Sequence, residues 1–177
     1  MYVVLMAMLA LNISTEVLNG FSIVEESLNR TTSNSSKENE SIYSDFLEQM
    51  KTNPEKVKAW FDKATMVKQM SDSLYNYAQS LKEQIVKEAD GDDADLNNIV
   101  GKDNLEAAAH VMLAPGTGQG KKLYDAINSY RERILKMVND DHQRQLIAEN
   151  LSTKIPKKGN ALGKNWQEYM FESMPVA

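Results

Sequence analysis

The run Pro115-Gly116-Thr117-Gly118-Gln119-Gly120-Lys121-Lys122 invites comparison with a phosphate-binding loop, in which glycines let backbone N–H groups cradle a phosphate and a terminal Gly-Lys-Ser/Thr supplies a cation and a magnesium-binding hydroxyl. The match fails. Pro115 stands where the first glycine belongs, Lys122 replaces the hydroxyl, and the Ala-rich stretch before the run does not read as the strand such a loop follows. The run reads as helix punctuation. Asp90, Asp92, Asp93 and Asp95 could attract calcium, but an EF-hand loop needs glycine at its sixth position and glutamate at its twelfth, where this chain has Asp95 and Gly101. That cluster reads as a solvated acidic turn. His110 and His142 are too far apart to form a local ligand pair, and each reads as a packed or surface imidazole. Without cysteine, disulfides, thiolate chemistry and Cys-based zinc sites are excluded. No nucleophile lies in a recognisable arrangement with a base. No catalytic residue, metal, cofactor or small-molecule substrate is therefore assigned, and the chain is not expected to be an enzyme.

Charge narrows the partners further. The chain carries 20 Lys and Arg against 25 Asp and Glu, a net charge of -5, with the two signs mixed along its length. No basic patch is available to neutralise nucleic-acid phosphates, so nucleic acid is not expected as a partner. With 177 residues, 42% hydrophobic, only 8 Gly and 4 Pro, the composition favours one all-α core.

The elements begin with an apolar run, Met1 to Leu11, which supplies about half of the ~20 residues a membrane-spanning helix needs. A signal peptide would add a basic segment before it and a small-residue cleavage site after it, and neither is present. The run is expected to be the end of a membrane span cut within its length. Beyond it, Ile13, Val17, Phe21, Val24 and Leu28 recur at spacings of three and four, one face of a helix. Asn12, Glu16 and Asn19 form a polar stripe at helical spacing, so the helix is expected to pass from lipid into water without a break. Tyr2 places a hydroxyl within the apolar run. It suits either a partner contact or an interfacial aromatic anchor. The polar stripe likewise suits either a neighbouring membrane helix or simple emergence into water.

Residues 29–40 contain no apolar side chain and are expected to be a solvated connection or an exposed helix end. Ile42, Tyr43, Phe46, Leu47 and Met50 mark a short amphipathic helix ending before Asn53-Pro54, since a pre-proline residue avoids α geometry. Pro54 opens the next helix. Within it Val57, Trp60, Ala64, Val67, Met70, Leu74, Tyr77, Leu81 and Ile85 follow a near-heptad seam, until the acidic turn at 90–95. Residues 104–113 are short helix or irregular. Leu123, Ile127, Tyr130, Ile134 and Met137 predict a further long helix to about Asn139, antiparallel to the preceding one. His142 to Leu151 and Trp166 to Met174 read as helical pieces around a Lys/Gly loop, with Pro175 as the final stop. The organisation expected is a transmembrane helix over 1–24 running into a first bundle helix to about 32, then a four-helix-type bundle over 33–177.

Several separated segments resemble the N-terminal part of the GldM/PorM family of type IX secretion and gliding machines. They are Met1 to Asn12 followed by Glu16-Val17-Leu18, then Asn53-Pro54-Glu55-Lys56-Val57 with Trp60 and Lys63-Ala64, Leu74-Tyr75-Asn76-Tyr77, and Trp166 with Tyr169-Met170-Phe171-Glu172 and Met174-Pro175-Val176-Ala177. The resemblance covers nearly the whole chain. It implies an inner-membrane protein with one membrane helix and a periplasmic helical domain, followed in the family by further periplasmic domains that contact other secretion subunits. It also implies a homodimer whose membrane helices sit inside a pentameric ring of a second membrane protein, GldL/PorL, and turn proton-motive force into rotation. The family's important membrane-helix tyrosine matches Tyr2. On this reading the membrane-helix partner interface comprises Tyr2, Met6, Leu9, Asn12 and Glu16. The basic residue the family places upstream of Met1 has no counterpart in this chain, and Glu16 is not assigned as a proton carrier. A different class of reading is a chemoreceptor-like sensor, in which a membrane helix also enters a periplasmic four-helix bundle. That protein would need a second span, which this sequence does not contain.

Overall fold

The computed structural model describes residues 14–156 and 163–177. Its first helix, α1, covers Thr15–Thr52. Ser14, extended at ψ 145, caps it, the hydroxyl oxygen accepting a hydrogen bond from the Val17 N–H at 3.3 Å. α1 therefore starts at Thr15, and the unbroken passage expected from the apolar run is interrupted at Ser14, whose side chain satisfies the first turn. At 1.5 Å per residue this helix is about 57 Å long. The connection expected over 29–40 is therefore helix, and the two helical pieces expected on either side of it are one. The stretch has no glycine or proline to break the ladder, and its side chains need not bury anything when solvent surrounds them. Thr31 turns its hydroxyl onto the helix itself, donating to the Ser27 carbonyl at 2.9 Å.

Asn53 alone links α1 to α2, which covers Pro54–Asp90, with proline in its first turn as expected. The Asn53 N–H donates to the Gln49 carbonyl at 2.8 Å, closing α1 as the chain reverses. The two helices form an antiparallel hairpin. At its base Lys82 pairs with Glu25 at 3.0 Å, and towards its tip the Tyr43 and Thr65 hydroxyls share a hydrogen bond of 2.7 Å. Tyr43 also lies 5.6 Å from Phe61, centroid to centroid.

α2 ends at Asp90 because Gly91 adopts φ 78, which glycine takes without a Cβ clash. A 3-10 turn, Gly91–Asp93, follows. The acidic turn has an internal use: the Asp90 carboxylate accepts hydrogen bonds from the Val100 and Gly101 N–H groups at 2.9 and 2.7 Å. Four shorter helices complete the order, α3 (Ala107–Leu113), α4 (Gly120–Met137), α5 (Asp141–Asn150) and α6 (Trp166–Phe171). α4 runs antiparallel to α2, as predicted. The hydroxyls of Ser71 and Tyr130 join the two at 2.7 Å, and Tyr77 donates to Gln119 at 3.5 Å. Burial raises the Tyr77 phenol above its ordinary pKa.

α6 stops at Phe171 rather than Met174. Glu172 is extended and Ser173 adopts φ 56, so the helix has already ended before Pro175. The core lies where the later part of α2 meets α3 and α4, with Leu81, Val86, Ala107, Ala108, Met112 and Ile134 buried. Among the described residues there is no strand, so the all-α expectation holds. No helix of theirs is long and apolar enough to cross a membrane.

Candidate functional site

The half-buried residues of α1 are Leu18, Ser22, Glu25, Tyr43, Phe46 and Met50, which keep three- and four-residue steps and include the groups that touch α2. Between Glu25 and Tyr43 the same row continues as Asn29, Thr32, Ser36 and Asn39, all exposed. The hairpin is thus held near its two ends and wet between them. The apolar row read from the sequence is a different one. Val17, Phe21, Val24 and Leu28 are 49%, 45%, 56% and 61% exposed, and they lie one residue, about 100° of helix, away from the row that packs on α2. An unpartnered apolar stripe of about 17 Å at heptad spacing fits a further helix better than water.

Gly20 sits on the same surface, and a Cβ there would meet nothing within 4 Å. An exposed glycine in the middle of a helix costs stability relative to alanine, and it permits close approach by another backbone. Below the stripe, Lys102 donates to the Ser22 hydroxyl at 3.2 Å, and the Lys102 carbonyl accepts from the Ala177 N–H at 3.2 Å. Residues 22, 82, 102 and 177 therefore meet at one end of the hairpin.

Of the expected membrane-helix interface, Tyr2, Met6, Leu9 and Asn12 lie outside the described residues. Glu16 is exposed in the first turn of α1, immediately before the stripe. The seam read along α2 faces α3 and α4 over most of its length, but Trp60 is 62% exposed near the hairpin tip, beyond those helices, with Lys63 over its ring at 5.1 Å. Sequence periodicity identified only one of these rows, Val17, Phe21, Val24 and Leu28, as the apolar face of the helix. Leu18, Ser22 and Glu25 were hidden as packing residues because two of the three are polar.

The glycines after Pro115 serve packing. Gly116 takes φ 79, a Cβ on Gly118 would lie 2.7 Å from the Met112 carbonyl oxygen, and one on Gly120 would lie 2.7 Å from Gln167 Cβ. They let α4 start against the end of α3 and against α6. His110 Nδ1–H donates a hydrogen bond to the Glu88 carboxylate at 3.1 Å on the surface, remote in sequence from His142. Among the described residues no group of three His, Asp or Glu is placed to hold a metal ion.

Residues 16–177 match the family model described as the GldM N-terminal domain. No curated protein matches the chain.

Proposed function

The chain belongs to the GldM family of gliding and type IX secretion machinery, and from that premise we propose that it is a mechanical subunit, not an enzyme, whose α1 carries rotation from an inner-membrane motor into the periplasm. The observation that carries this reading is the unbroken helix Thr15–Thr52, beginning immediately after the apolar N-terminal segment, with its exposed stripe at the same end. Within Thr15–Thr52 a continuous helix transmits twist, whereas a flexible joint would dissipate it. The anchor joins this helix through Ser14, which is extended at ψ 145, so coupling depends on that joint being held stiff in the assembly.

In this reading two copies pair along α1, Val17, Phe21, Val24 and Leu28 facing one another in parallel, as two chains entering one membrane require. The apolar segment with Tyr2, Met6, Leu9 and Asn12 is the anchor, and a GldL-type ring surrounds it and converts proton-motive force into rotation. Other secretion subunits take up the motion in the periplasm. Pairing of the stripe would remove apolar surface from water at about 25 cal/mol per Å2, which offsets the cost of leaving it exposed in one copy.

The test has two parts. A Gly-Pro insertion after Asn19 should leave membrane insertion and co-purification with the ring protein intact but abolish secretion, because proline removes a helix hydrogen bond and clashes with the preceding turn. Secretion at normal levels would remove rigid coupling as the mechanism. Failure of a ring-forming membrane protein to co-purify with the intact chain would remove the motor reading itself.

A further inference from the structure

Away from the hairpin, a cleft of about 720 Å3 opens between α4, α5, the segment 152–155 and the start of α6. Lys121, Arg131 and Lys154 line it, and among the described residues no aspartate or glutamate does, although the chain as a whole is acidic. Arg131 donates to the Leu151 carbonyl at 2.9 Å and, through its other terminal nitrogen, to the Asn128 side-chain oxygen. Both acceptors are neutral, so the guanidinium is oriented without being neutralised. A part-buried charge of this kind gains from an anion. The buried Thr153 hydroxyl donates to the same Asn128 oxygen at 3.0 Å, which fixes the amide in place. Lys121 pairs with Asp125 at 2.9 Å, but both side chains are largely in solvent, where such a pair is worth little and can be exchanged. Lys154 has no carboxylate partner among the described residues.

We propose that this cleft binds a short acidic peptide segment, distinct from the helix partner proposed for α1. Ten positions of α4, about 15 Å, separate Lys121 from Arg131. One phosphate cannot bridge that span, whereas about five residues of extended chain at ~3.3 Å each can, with carboxylates on alternate residues. The rest of the lining suits a peptide. Tyr124 and Trp166, with ring centroids 5.6 Å apart, give an apolar wall, and the Gln167 amide offers a donor and an acceptor to a peptide group.

The experiment uses the purified chain in detergent, in a Trp60→Phe background so that emission reports Trp166 alone. Acetyl-Glu-Ala-Glu-Ala-Glu-amide should change the emission saturably, more tightly at low salt, and the corresponding glutamine peptide should not. Lys154→Glu, at an exposed position with no packing role, should weaken the peptide by about tenfold or more with an unchanged melting curve. Arg131→Gln should weaken it further. The proposal is overturned by absence of a saturable change, by equal binding of the glutamine peptide, or by an unaffected Lys154→Glu variant. It is equally overturned if inorganic phosphate displaces the peptide at matched concentration, or if an acidic oligosaccharide such as a polygalacturonate fragment binds more tightly.

Discussion

Gly20 and Gly118 would each gain the same methyl group on substitution by alanine, and the surroundings give the two changes opposite signs. At Gly20 a Cβ meets nothing within 4 Å, so Gly20→Ala should stabilise α1 by about 0.5–1 kcal/mol, seen as a higher melting temperature. If the stripe accepts a close helix partner, the same variant should weaken self-association in analytical ultracentrifugation. A variant both more stable and equally well associated would place the partner elsewhere. At Gly118 the Cβ would lie 2.7 and 2.8 Å from the Met112 and Ala114 carbonyl oxygens, which are backbone and cannot swing aside. Gly118→Ala should cost roughly 1–3 kcal/mol, read from denaturant unfolding. Met112 itself is 2% exposed, and Met112→Ala should cost about 2–5 kcal/mol by the same measurement. At this scale the glycine-rich run was legible in sequence. Its departures from a phosphate loop pointed to helix punctuation, and the close approaches of Gly118 and Gly120 show what the punctuation accommodates. Which glycine is crowded and which is open was not legible, because that depends on Met112 and Gln167 arriving from other elements.

Among the elements, α2 and α4 were the most legible, since Pro54, Gly91 and unbroken apolar periodicity fixed their limits. α1 was the least. Residues 29–40 lack the apolar signal by which an amphipathic helix is recognised, yet nothing in them opposes helix, and the ends on either side, held to α2 by half-buried side chains, carry the ladder through. Ser35→Pro tests this directly. In a helix it removes a backbone hydrogen bond and costs about 3 kcal/mol, lowering helical circular dichroism and the melting temperature; in a connecting loop it would change neither. The polar row Asn29, Thr32, Ser36 and Asn39 also makes the middle of α1 its weakest packed part, so its amide protons should exchange with solvent faster than those near Glu25 or Tyr43. The offset between the stripe and the packing row had a different cause. Val17, Phe21, Val24 and Leu28 are more hydrophobic than Leu18, Ser22 and Glu25, so a sequence read alone assigns the first row to the interior. The chain instead uses the weaker row for its own hairpin, where Lys82 and Lys102 reach Glu25 and Ser22, and leaves the stronger row outside.

The molecule as a whole exposes 13,020 Å2, against about 8,700 Å2 for a compact protein of 20.0 kDa, as a long hairpin with a modest core must. Its shape separates two routes by which force could cross it. One runs up α1, around Asn53 and back down α2. The other leaves α1 near its start, through Glu25 to Lys82 and through Ser22 to Lys102, whose carbonyl holds the Ala177 N–H. The second route is short and bypasses the tip. Lengthening the connection at Asn53 by a few Gly and Ser residues adds only a small loop-closure cost, roughly 0.6 kcal/mol for each doubling of the loop, and breaks the first route while sparing the second. The tip-extended protein should therefore keep its helical content and support secretion at close to the normal rate, in contrast to the Gly-Pro insertion after Asn19, which lies ahead of both routes. Were the tip extension to abolish secretion with the fold intact, the load would have to travel the full length of the hairpin, and the junction of residues 22, 82, 102 and 177 would serve to brace the base rather than to transmit.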